Sequence, residues 1–109
     1  MAVEITAAVQ AVWERSREKI AGQIGTLEEA IGALIDDRLD EDLRARAESN
    51  AHQLAGSLGM FGIPRGSELA RELEQALVAP TPSEASHLTE LALALSAEVE
   101  SGPAASDAK

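Results

Sequence analysis

The sequence predicts an all-α fold, an antiparallel bundle of four main helices in which the first is long or kinked. Three observations carry this expectation. Apolar residues recur at intervals of three and four through separate stretches of the chain, the spacing of one buried helical face. Clusters of Asp, Gly and Pro, which end and start helices, divide those stretches. The composition is dominated by alanine, leucine and glutamate, with one Trp, one Phe, no Tyr and no Cys. Such a mixture favours helices and leaves no thiol for a disulfide, a metal thiolate or a nucleophile. A chain of 109 residues is expected to be one domain that buries roughly 65% of its unfolded surface, enough for a core without staples.

Val9, Val12 or Trp13, Ile20, Ile24, Leu27, Ile31 and Leu34 or Ile35 form the first stripe, from about residue 4 to 37. A helix of that length spans about 50 Å, more than a bundle of this mass needs. Gly22, Gly25 and the capping-box pattern of Thr26–Glu29 mark a kink or break, yet the stripe stays in phase across them. One long, bent helix is therefore expected, with Trp13 in the core or closing the N-terminal end of the bundle as a lid. Residues 36–40 form the first turn, and Asp40 is the expected N-cap of a second helix, with Glu41 and Asp42 favourably placed in its first turn. That helix runs to about Met60. Gly62 supplies its C-terminal turn, and Pro64 disfavours helical geometry at Ile63.

Pro64 also suits the start of a third helix, over about 64–78, whose buried face is Leu69, Leu73 and Leu77 with Ala70 and Ala76. Thr81, Pro82 and Glu84 then read as N-cap, first helical residue and capping-box acid of the last helix, about 82–100. Its core residues are Ala85, Leu88, Leu91 or Ala92, Leu95 and Val99. The domain thus takes in residues 1–100, and residues 101–109 read as a disordered tail or the beginning of a linker.

The stretch that promises chemistry is Ala51–Gly62. Ala47, Ala51, Leu54, Leu58 and Phe61 make its apolar stripe, and His52 lies roughly 150° from the middle of that stripe, facing solvent. Its neighbours on the same face are Ala55, Gly56 and Gly59, all small. A glycine inside a helix costs about 1 kcal/mol relative to alanine. A surface face gives no packing reason for that cost, but a partner that must come close to the imidazole does. A neutral imidazole is nucleophilic near neutral pH: one ring nitrogen attacks while the other holds the proton and must be oriented. Glu48, at i−4 on the same face, is a candidate for that orienting role, as is a water. The bland reading of Glu48 is a solvated acid.

This arrangement resembles the histidine-phosphotransfer (HPt) domain of bacterial two-component phosphorelays. That family's motif reads approximately His-x-Leu-Lys-Gly-Ser with a further glycine beyond it. His52, Leu54, Gly56, Ser57 and Gly62 match, and Leu69–Glu74 looks like the family's next helix, so the resemblance spans roughly residues 5–100. The usual lysine is replaced by Ala55. The resemblance implies that His52 is a phosphoryl acceptor and donor, and that the chain is a carrier in two-component signalling rather than an independent catalyst. It implies a phosphoryl environment of Glu48, Gln53, Ala55 and Gly56, and a partner-binding surface at Ala55, Gly56 and Gly59. Partners would be response-regulator receiver domains, with a hybrid histidine kinase as a further one. No cofactor is expected on this chain, since the Mg²⁺ of the reaction belongs to the receiver. With Ala55 in the lysine's place, Gln53 could donate a hydrogen bond to the phosphoryl oxygens, and Arg44 or Arg65 could supply a cation if the fold brings either near.

The competing reading is a helical interaction module that binds a receiver or other partner through the small-residue face without phosphotransfer. A formal charge of −10 argues against nucleic acid and against an anionic membrane surface. No small-molecule substrate is expected. No apolar run approaches the ~20 residues of a membrane span and no signal-peptide pattern opens the chain, so a cytoplasmic location is expected. His87 reads as a solvated surface residue. No His/Glu spacing or EF-hand loop suggests a metal site.

Overall fold

In a computed structural model, which describes residues 2–103, four helices run up and down around one core: α1 (Ala2–Ile35), α2 (Glu41–Met60), α3 (Pro64–Ala76) and α4 (Ala85–Ser101). Among the described residues there is no strand. Each helix packs on its neighbours in a closed ring, α1 on α2, α2 on α3, α3 on α4 and α4 on α1. This is the all-α four-helix bundle that the four stripes predict.

The turns follow from individual residues. Asp37 takes a left-handed conformation (φ 57°), and the Arg38 amide bonds back to the Ala33 carbonyl at 2.7 Å, ending α1. The Asp40 carboxylate accepts from the Leu43 amide at 2.8 Å, capping α2 as expected. At the other end of α2, Gly62 (φ 76°) allows the Ile63 amide to reach the Leu58 carbonyl at 2.9 Å. Pro64 then starts α3. Glu84 accepts from the Thr81 amide at 2.9 Å, the predicted capping contact, but Pro82–Glu84 forms a 3₁₀ turn and α4 proper begins at Ala85. α3 likewise ends at Ala76 rather than about 78, with Leu77 as its buried cap residue.

α1 is continuous, and its 34 residues set the 51 Å length of the molecule. One long helix was the expectation, and the break that Gly22, Gly25 and Thr26–Glu29 left open does not occur. The Thr26 hydroxyl bonds to the Gly22 carbonyl within the helix, at 3.3 Å, instead of capping a new one. Where the stripe offered two adjacent residues, Trp13 and Leu34 are buried, whereas Val12 and Ile35 are exposed. A 100° step leaves room for only one member of each pair on the inner face. The largest fully buried side chains are leucines from all four helices or their ends: Leu27, Leu54, Leu58, Leu69, Leu73, Leu77, Leu88 and Leu95.

Trp13 is both core and lid. It packs edge-on against Phe61, with ring centroids 5.0 Å apart, and closes one end of the bundle. Gly102 (φ 71°) ends α4 beneath this ring, where a Cβ would stand 3.3 Å from Trp13 Nε1. The first three residues of the expected tail belong to the bundle instead: Ser101 is helical, and Gly102 and Pro103 are buried. The expectation for residues 104–109 lies outside the described residues.

Candidate functional site

α2 and α3 form a helical hairpin closed at Gly62–Ile63, and residues equally far from its turn face each other. His52 and Glu74 each stand eleven residues from Ile63. His52 projects from α2 with its side chain 74% exposed, and its Nδ1 lies 2.8 Å from Glu74 Oε2. A carboxylate can only accept, so Nδ1 carries the proton. Nε2 is left with its lone pair and faces no protein partner among the described residues. Glu74 is itself partly covered, its side chain 27% exposed.

Glu74 takes the orienting role that the helical spacing offered to Glu48. Glu48 sits beside His52 in the same shallow depression, but its carboxylate accepts from Arg44 Nη1 at 2.7 Å. The same Arg44 nitrogen donates to the Leu77 carbonyl at 2.8 Å, and the guanidinium also binds Glu41 at 2.7 Å. Those hydrogen bonds, to Glu41 first and Glu48 second, raise the pKa of Arg44; the hydrogen bond from Arg44 holds the exposed Glu41 carboxyl below its ordinary value. Arg44 thus ties α2 to the end of α3 and is not free to meet a ligand. Arg65, the other cation considered from sequence, pairs with Glu68 at 3.6 Å.

Gln53 is also committed elsewhere. Its Oε1 accepts from Gln23 Nε2 on α1 at 2.9 Å, and its own amide nitrogen lies 3.4 Å from Ser49 Oγ. It turns toward α1, whereas His52 leans toward α3.

The three small residues have different surroundings. Ala55 is 5% exposed, so it is not part of an open face as expected. Three positions after His52 on a 100° step, it swings toward α3, which packs over it and leaves it at the floor of the depression. Its carbonyl accepts a 2.6 Å hydrogen bond from the buried Ser67 hydroxyl of α3. Gly59 is exposed at its backbone, and a Cβ there would meet Ser67 Oγ at 3.6 Å, an ordinary contact. Gly56 is exposed, and a Cβ there would meet nothing within 4 Å. No packing inside the chain explains that glycine.

Two residues of the site escape a reading of helical spacing alone: Glu74 and Arg71, both contributed by α3 to the depression that also holds His52, Gly56 and Glu48. The signal that finds them is the hairpin itself, since Gly62 and Pro64 fix the turn and counting outward from it pairs position 52 with 74. His87 is exposed on α4, apart from this depression. Among the described residues, no group of three or more His, Asp or Glu side chains is placed to hold a metal ion, and no helix is long and apolar enough to cross a membrane.

The model of the family described as Hpt domain matches residues 11–100, most of the chain. Protein RcaC of Microchaete diplosiphon is 34% identical over 62 residues, which cover 57% of this chain and 10% of that protein. The match thus spans about a tenth of the relative's length. No solved structure matches the chain.

Proposed function

The chain belongs to the Hpt-domain family, and from that premise we propose that it carries a phosphoryl group on His52 Nε2, to and from the aspartate of response-regulator receiver domains. The observation that supports this most directly is the Nδ1–Glu74 hydrogen bond, 2.8 Å long, on a ring otherwise open to solvent. It fixes the tautomer in which Nε2 is the nucleophile, and it turns that nitrogen toward an incoming partner.

The step balances simply. The Nε2 lone pair forms a bond to phosphorus while the P–O bond to the receiver's aspartate breaks, and the electron pair leaves with the carboxylate. Nδ1 keeps its proton throughout. The phosphorylated ring becomes cationic, and the Glu74 carboxylate offsets that charge at hydrogen-bond distance. The reverse step returns the group to the same or another receiver. The acidic pocket and Mg²⁺ of such a reaction belong to the receiver. This chain contributes a rigid helix, an oriented nitrogen, and an approach path cleared at Gly56.

Incubation with receiver domains carrying radiolabelled aspartyl phosphate tests the reading. The expected outcome is acid-labile, alkali-stable label on the wild-type chain and none on His52→Gln. Stable receiver binding with no label on the wild type would contradict transfer and leave a docking module in its place.

A further inference from the structure

We propose that Arg71 is the cation that binds the phosphoryl oxygens on His52, taking from α3 the part for which Ala55 leaves no charge on α2. The inference rests on the carrier reading above and goes beyond it by assigning the group that stabilises the carried charge. Three observations lead there.

The first is supply. Among the described cations, Arg17, Arg38, Arg44, Arg46 and Arg65 each hold a carboxylate, and Arg15, Lys19 and Arg71 hold none. In a chain with 19 acidic residues against nine basic ones, an unspent guanidinium is scarce. Of those three, Arg71 alone lines the depression that holds His52.

The second is placement. Arg71 is three residues before Glu74, so it lies on the same face of α3, one turn nearer the hairpin bend. Gly56 is one turn nearer that bend on α2. The exposed Arg71 side chain therefore stands across from the residue that has no side chain to obstruct it. Ala55, with only a methyl group, forms the floor between them.

The third is charge balance. The depression contains two carboxylates, and a phosphoryl group between them would be repelled if both were unmet. Arg44 meets Glu48 at 2.7 Å, and the cationic phosphorylated ring would meet Glu74. Arg71 is the remaining charge, and a guanidinium offers paired donors matched to phosphoryl oxygens.

Phosphoramidate is the probe, because it loads histidine without a protein partner. Its P–N bond breaks as the P–Nε2 bond forms, and ammonia leaves with the electron pair. Wild type, Arg71→Ala, Arg71→Lys, the double variant Arg71→Ala with Ala55→Lys, and the charge control Arg15→Ala are compared for loading rate. Circular dichroism confirms that each is folded. Loading of Arg71→Ala should slow by about 10-fold, less than the roughly 100-fold cost of losing a donor in a water-excluded site, because this depression is open. Arg71→Lys should recover most of the rate, as should a lysine at position 55 in the Arg71→Ala background, while Arg15→Ala stays at the wild-type rate. Wild-type loading in Arg71→Ala would overturn the assignment while leaving His52 as carrier. A wild-type chain that takes up no label, or takes it up equally as His52→Gln, would overturn the carrier reading and this inference together.

Discussion

The chemistry turns on how one imidazole is held. A histidine on an exposed helix face is free to rotate and to exchange tautomers; at His52 a partly covered carboxylate from the neighbouring helix removes both freedoms. Two acids flank the ring, and only their other partners tell them apart. Glu48 is held by Arg44, whereas Glu74 reaches Nδ1. Removing the orienting group while leaving the nucleophile typically costs about 10–100-fold where the analogous effect has been measured at histidine ligands. Glu74→Ala should accordingly slow phosphoryl uptake within that range, with the fold intact by circular dichroism. Glu48→Gln should leave the uptake rate close to wild type, because its bond to Arg44 does not constrain the ring. Equal losses in the two variants would show that charge near the imidazole matters and orientation does not.

At the scale of the helices, Gly62, just beyond α2, and Gly56, within it, have different reasons to be glycine. Gly62 serves folding: its positive φ lets the chain turn back into α3 and sets the register that brings Glu74 and Arg71 to His52. Gly56 has open space where a Cβ would be and a helical backbone that alanine would favour. Gly56→Ala should therefore raise stability by about 0.5–1 kcal/mol in denaturant titration. Gly56→Leu should leave the fold standing and block phosphotransfer from a receiver while still permitting loading by phosphoramidate. A leucine variant that exchanges with the receiver at the wild-type rate would remove the steric argument for this glycine.

The helices, their caps at Asp40 and Thr81, the turn at Gly62 and the outward histidine were all legible in the sequence, because each depends on local backbone preference or on a 3.6-residue period. The partner of His52 was not legible from that period. A helical wheel of α2 places Glu48 beside the ring, but it carries no information about α3. Ala55 was misplaced for the same reason: its distance from the apolar stripe gives an angle, while its burial depends on which side the next helix covers. Counting from a turn at Gly62–Ile63 supplies what the wheel lacks.

At the scale of the whole chain, the single tryptophan reports on closure of the bundle. Trp13 lies on α1, its ring contacts Phe61 just beyond α2, and Gly102 after α4 seats against it, so three of the four helices meet at one side chain. A chain of this size with one continuous core is expected to unfold in a single cooperative step. Trp13 fluorescence and far-ultraviolet circular dichroism should then give the same midpoint in urea; a Trp13 signal lost well before the helices would show that this end of the bundle opens on its own. The register of α2 against α3 is what brings Glu74 to His52 Nδ1.

The most direct measurement follows the imidazole nitrogens themselves. With histidine nitrogens isotopically labelled and the chain phosphorylated, magnetic resonance can identify which nitrogen of His52 bears phosphorus. Phosphorus is expected on Nε2, with the proton retained on Nδ1 against Glu74. Phosphorus on Nδ1, or a His52 ring that never bears phosphorus while receivers still bind, would contradict it.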